Sequence, residues 1–185
     1  MIEGIIKKRR SIFPVQYDKG VKVEDVIIHK MLEAANWAPT HKKTEPWRFY
    51  VVKSDKKKVL STFMVDKYKE TVVSPSDFKA KQIADKIEQS SHIIIICMQR
   101  DPKESLPEWE EVAATAMAVQ NMWLVAAENK VGSYWSSPGY ISKMGEFLPL
   151  KNGEKCLGLF YVGSFSGELP EGERTPIEHK VTWLD

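Results

Sequence analysis

Cysteine is scarce: Cys97 and Cys156 are the only two among 185 residues. Both fall inside apolar runs, which reads as two buried free thiols rather than a disulfide framework. That usage fits a reducing compartment, and a cytoplasmic protein is expected. Four histidines are scattered without paired ligand spacing, so no metal site is expected. Long hydrophobic runs are missing too. The longest, His92 to Met98 (HIIIICM), is far too short to span a bilayer. In the opening MIEGIIKKRRS the charges follow the apolar residues, unlike a secretory signal. Formal net charge is only +2, with acids and bases interspersed, so nothing electrostatic suggests a nucleic-acid partner. No glycine-rich phosphate loop occurs, neither the Walker spacing nor the dinucleotide fingerprint. Ser136 and Ser137 follow Trp135 without the flanking glycines of a hydrolase elbow.

What is present is an ordinary globular composition at a length that suits one domain, residues 1–185. Residues 2–9 read as a short helix. Val23 to Asn36 reads as a second, with apolar positions near helical spacing and Pro39 just past its end. WRFYVV (Trp47 to Val52) is aromatic and β-branched, as in strands. Polar helices are expected over Lys56–Lys69 and Asp77–Gln89. HIIIICM then reads as a strand buried on both faces, because its apolar residues do not alternate. Ser105-Leu-Pro-Glu108 fits a capping box opening a helix to about Asn129. Glu108, Glu110 and Glu111 suit that helix's first turn. The rest is apolar nearly all round, so the helix is expected to be buried. A short strand through SYW, a short helix over residues 138–147 and a third long strand, KCLGLFYVG (Lys155 to Gly163), follow. The tail ends in KVTWLD, extended and without a partner in sequence. This order indicates α+β or three-layer α/β, with strands too far apart for hairpins. The small residues Ala113, Ala114, Ala116 and Ala118 allow close helix approach, and a second copy is expected to cover the faces a chain this short leaves open.

Without a glycine loop, a phosphate must be held by side chains. Arg9, Arg10 and Ser11, ending the first helix, and the late Arg174 are the candidates. Basic residues that merely complement a helix C-terminus are the competing reading. In NWAPTHKKTEPWRFYVV, His41 lies in a loop bracketed by Pro39 and Pro46, with Trp37 and Trp47 at its sides. From the residues alone His41 reads as a base, a ligand, a pocket wall or a solvated loop residue.

Four stretches, taken in order, resemble the FMN-dependent nitroreductase family and its shorter branch of NAD(P)H nitroreductases. They are RRS at 9–11, APTHKKTEPWRFYVV at 38–52, AVQNMWLVAAENKVGSYWSS at 118–137, and CLGLFYVGSF with ERTPIEHKVTW at the end. The resemblance implies a three-layer α/β/α fold with a mixed sheet, and a homodimer whose C-terminal strands are exchanged. It implies two FMN sites at the dimer interface, each built from both chains, with NAD(P)H as co-substrate and a small electron-poor acceptor such as a nitroaromatic or quinone, reduced by a ping-pong mechanism. By family position Arg9, Arg10, Ser11 and Arg174 hold the phosphate and ribityl end. Trp37 and His41 reach the flavin of the other chain, and Trp135, Ser136 and Ser137 line the ring. No side chain is assigned a catalytic proton transfer, because the flavin performs the hydride chemistry. The chain departs from the pattern in four places. Ile12-Phe13-Pro14 stands where larger members carry a lysine, which leaves Lys42 or Lys43 as substitute cations. Gly172 replaces a second basic residue of the tail, and Trp37 and Ser136 replace arginines of the shorter branch. A flavin enzyme of a dedicated biosynthetic or degradative oxidation, and a flavin-binding protein with little turnover, are the alternatives.

Overall fold

The computed structural model describes residues 2–184. Helix α1 spans Ile2–Lys8, α2 Asp25–Asn36, α3 Lys56–Thr71, α4 Asp77–Gln89 and α5 Glu108–Glu128. Strands are β1 Trp47–Val52, β2 His92–Gln99, β3 Val131–Ser136 and β4 Glu154–Ser164. They form one sheet in the order β1-β2-β4-β3. All three pairings are antiparallel, so within one chain the sheet expected to be mixed has a single sense. KVTWLD does not join it: residues 181–184 are exposed and unpaired, and Asp185 lies outside the described residues.

β2 explains the layering. It is central, and its side chains alternate between two cores. Ile93, Ile95 and Cys97 face α3 and α4 together with Leu60, Met64 and Ile87. Ile94 and Ile96 face α2 and α5 together with Met31, Met122 and Phe160. An uninterrupted apolar run is what a strand covered on both sides requires. Cys97 and Cys156 sit opposite each other on β2 and β4, beside a register shift between Ile96 and Cys97, and both are free thiols.

Helix ends follow local chemistry, with three departures from expectation. Ser76 caps α4 by accepting from the Lys79 N–H at 3.2 Å. The capping box expected at Ser105 does not form. Its hydroxyl bonds instead to Asp101, which also accepts the Ser105 N–H at 3.0 Å, and Pro107 stands at the cap position. Asp101 is nearer than the helix and offers a charged acceptor, so it captures the serine. α2 begins at Asp25, two residues after the predicted Val23, whose side chain is still buried. The short helix expected over 138–147 is a 3-10 segment, Ile141–Glu146.

Candidate active site

Arg9 lies just past α1, against the C-terminal half of α5. Its guanidinium sits 4.5 Å over the Trp123 ring. That indole is fixed in turn: its Nε1 donates to the Arg10 carbonyl at 3.2 Å, and it meets Phe160 edge-on at 5.3 Å. A cation stacked on an aromatic face is held flat with its N–H edge free to point outward. Arg9 Nη1 is buried and has no hydrogen-bond partner among the described residues. Burial, then the charges of Arg174 and Arg10, push the Arg9 pKa down. A half-buried cation crowded by two more is an unbalanced arrangement that suits an anion. The cavity there has a volume of about 530 Å³, and Lys7, Arg9, Arg10, Gln120, Gly172 and Arg174 line it without a carboxylate.

Arg10 has different work. Its guanidinium donates to the carbonyls of Lys7 at 2.6 Å, Arg9 at 2.9 Å and Pro170 at 2.8 Å. It thereby clips the C-terminal segment to α1. A Cβ on Gly172 would stand 2.2 Å from Arg10 Nη2, so a side chain there would push the guanidinium aside. Ser11 is half-buried, next to Ile12, whose N–H donates to Ser133 O on β3 at 3.0 Å.

The end of β3 supplies a second group. Trp135 Nε1 and Ser133 Oγ are buried and unpartnered among the described residues. The Trp135 indole lies against Gly158 of β4, where a Cβ would come within 2.1 Å of Nε1 and 2.7 Å of Ser136 O. Ser137 Oγ donates to Leu157 O at 2.7 Å, which ties the segment to β4. Ser136 opens on the other face of the sheet, into a cavity shared with Tyr134 and Tyr140.

His41 lies at the opposite end of α5, and the exposed Trp37 stands at the end of α2. Trp37 follows α2, is 79% exposed, and donates from Nε1 to Glu33 at 3.0 Å. His41 Nδ1 lies 2.6 Å from Glu110 Oε2, and Lys42 Nζ donates to Ser105 O at 2.8 Å. Lys42, Lys43 and Glu45 all adopt left-handed backbone, a conformation that costs non-glycine residues energy and needs the surrounding contacts to hold it. Glu110 and Gln120 are ten residues apart on one helix, about 15 Å at the α-helical rise. One chain therefore does not bring His41 to Arg9. Sequence reasoning missed Trp123, Gln120 and Tyr134. Trp123 was the legible one, a lone tryptophan in a stretch of small residues.

A model of the Nitroreductase family matches residues 6–164. The chain belongs to that family. YfhC of Bacillus subtilis (strain 168), which carries a provisional NAD(P)H nitroreductase name, is 29% identical over 187 residues, covering 98% of this chain and 93% of that protein. A nitroreductase-like protein from Bacillus cereus superposes with a TM-score of 0.83 at 27% identity, over 100% of this chain and 96% of that one. A nitroreductase from Bacteroides fragilis with bound FMN has the same fold, with a TM-score of 0.72 at 19% identity over 100% and 98% of the two chains.

Proposed function

We propose that the protein is an FMN-dependent oxidoreductase that uses NAD(P)H to reduce nitroaromatics, quinones or similar electron-poor acceptors. The observation that carries this reading is the unpartnered Arg9 Nη1, buried on Trp123 beside Arg174, in a chain that belongs to the nitroreductase family. The residues fit the cofactor. Arg9 and Arg174 are two planar donors for its phosphate, with Ser11 adjacent, while Arg10 holds the tail that carries Arg174. Trp135, Ser136 and Ser137 border the ring. The buried Trp135 Nε1 is a donor for one of its polar edges. FMN, when bound, supplies the hydride chemistry, and the chain supplies binding, orientation and exclusion of water.

His41, remote from Arg9 in its own chain, and the exposed Trp37 serve the site of a second copy. The tail beyond Arg174 reaches across to that copy, and the interface holds two sites. Nicotinamide and acceptor use the same opening in alternation, which predicts ping-pong kinetics. His41 is a wall there rather than a base. The two free thiols suit a reducing cytoplasm, and among the described residues no helix is long and apolar enough to cross a membrane.

The test is direct. Purified protein should be yellow, with a flavin spectrum that NAD(P)H bleaches and a nitroaromatic or quinone restores. Initial rates should give parallel double-reciprocal lines. Colourless protein that ignores added FMN would sink the reading. Flavin that binds but is reduced by neither nicotinamide would favour the low-turnover alternative. That alternative has one structural argument: Phe13, packed against Tyr134 with ring centroids 4.5 Å apart, stands where larger members place a lysine.

A further inference from the structure

Cys97 and Cys156 are the only cysteines of the chain, and folding puts them side by side. They stand directly opposite each other on the antiparallel strands β2 and β4, and both side chains belong to the core that faces α3 and α4. Opposite residues of an antiparallel pair have Cα atoms about 4.5–5.5 Å apart and project to the same face. That spacing falls inside the span of about 4.4–6.8 Å that a disulfide bridges. A register shift lies beside the pair: Ile96 is opposite Gly158 and Cys97 is opposite Cys156, so Leu157 has no opposite residue. The ladder is locally broken at such a bulge, which leaves the two strands room to adjust.

The two thiols are not equivalent. Cys97 is wholly buried, whereas Cys156 is the third residue of β4, 8% exposed, and follows the exposed Lys155. A hydrogen bond from Cys97 pushes the Cys156 pKa down, with help from the Gly158 backbone, against burial and the charge of Glu154. The same interaction, and then burial, pushes Cys97 up. The outer sulfur thus has the character of an attacking thiolate, and the inner one that of a resolving thiol held protonated. A bond between them would also pin the bulge. Leu157 O accepts the Ser137 hydroxyl and Gly158 lies against Trp135, so the strand segment that holds both would be locked in register.

We infer that Cys97 and Cys156 are a redox pair that closes to an intramolecular disulfide under hydrogen peroxide and reopens in a thiol reductant. The inference does not depend on the proposed function. The Cys156 thiolate attacks one peroxide oxygen, the O–O bond breaks, and the departing hydroxide takes up a proton as water, leaving a sulfenic acid on Cys156. The Cys97 sulfur then attacks the Cys156 sulfur and the S–O bond breaks. The second hydroxide leaves with the Cys97 proton as water. Two thiols are oxidised by two electrons, and one peroxide is reduced to two waters.

The experiment uses the full chain, reduced, freed of reductant and treated with hydrogen peroxide. Free thiols are counted by alkylation after acid quenching, and peptides are mapped by mass without reduction. Both thiols should disappear together, one crosslinked peptide pair should join Cys97 to Cys156, and dithiothreitol should restore both thiols. Cys97→Ser should stop at a Cys156 sulfenic acid that dimedone traps, while Cys156→Ser should leave Cys97 a thiol at the same dose. Thermal melts establish that each variant is folded, and the peptide map of the unsubstituted chain decides the question if one is not. Thiols that survive in the native chain but disappear under the same treatment in urea would overturn the inference. So would a disulfide that joins two chains, or dimedone trapping at Cys97 in Cys156→Ser.

Discussion

Arg9 and Arg10 are chemically identical neighbours with separate duties, and packing alone tells them apart. Trp123, more than a hundred positions away in sequence, takes Arg9 onto its face, while three carbonyls consume Arg10. Arg9→Ala is expected to weaken FMN binding by about 1.5–3 kcal/mol, the worth of a hydrogen bond to a charged group. Equilibrium titration with FMN measures it, and an unchanged affinity would remove the phosphate assignment. Gly158 offers a test of packing rather than ligand binding. A methyl there would meet Trp135 Nε1 at 2.1 Å and the Ser136 backbone oxygen at 2.7 Å, and the latter cannot swing aside. Gly158→Ala should cost about 1–3 kcal/mol of stability, read from denaturant midpoints, and should displace the Trp135 segment. Neither requirement was legible: arginine pairs and strand glycines look alike wherever they occur.

Helices and strands were the most legible level, because burial imposes a period. The unbroken apolar run of β2 announced two covered faces, and α4 lies where its pattern put it. Polar interactions inside elements were not legible. Glu111, expected simply to favour a helix N-terminus, is wholly buried, pairs with Arg100 and accepts the Asp101 N–H at 2.9 Å. At the start of β2, His92 bridges Ser91 Oγ and Asp25, each at 3.0 Å, with Lys53 and Lys57 nearby. Its pKa is lowered, by burial first and by the two lysines, against the opposing pull of Asp25. The folded state therefore holds this proton less firmly than the unfolded chain. The stabilisation is complete above the unfolded value of about 6.5 and is lost as pH falls below it through the folded pKa. Urea midpoints should drop between pH 7 and pH 5, and His92→Gln should flatten that slope. An identical slope in the variant would assign the pH dependence elsewhere.

The molecule as a whole carries more exposed apolar surface than a solitary chain of this size has use for. Trp37, Trp109, Trp183 and Leu184 are 79%, 68%, 85% and 93% exposed. Large side chains exposed in this way mark contact surfaces. A twofold dimer that buries them, with the chain beyond Arg174 docked on the partner, is the expected solution state. Sedimentation should give twice the chain mass. Removing residues 165–185 should yield monomers that lose FMN, because Arg174 departs with the tail. A truncated chain that stays dimeric would place the interface elsewhere.

The sequence by itself determined the elements, the two-faced burial of β2, the two free thiols and the family, since each follows from local pattern or from ordered motifs along the chain. Tertiary structure decided which arginine is left unpartnered on Trp123, that the Arg10 guanidinium closes over Gly172, and that His41 and Arg9 lie at opposite ends of α5. Those are contacts between residues far apart in the chain, and no local period or motif encodes a distance that only folding sets.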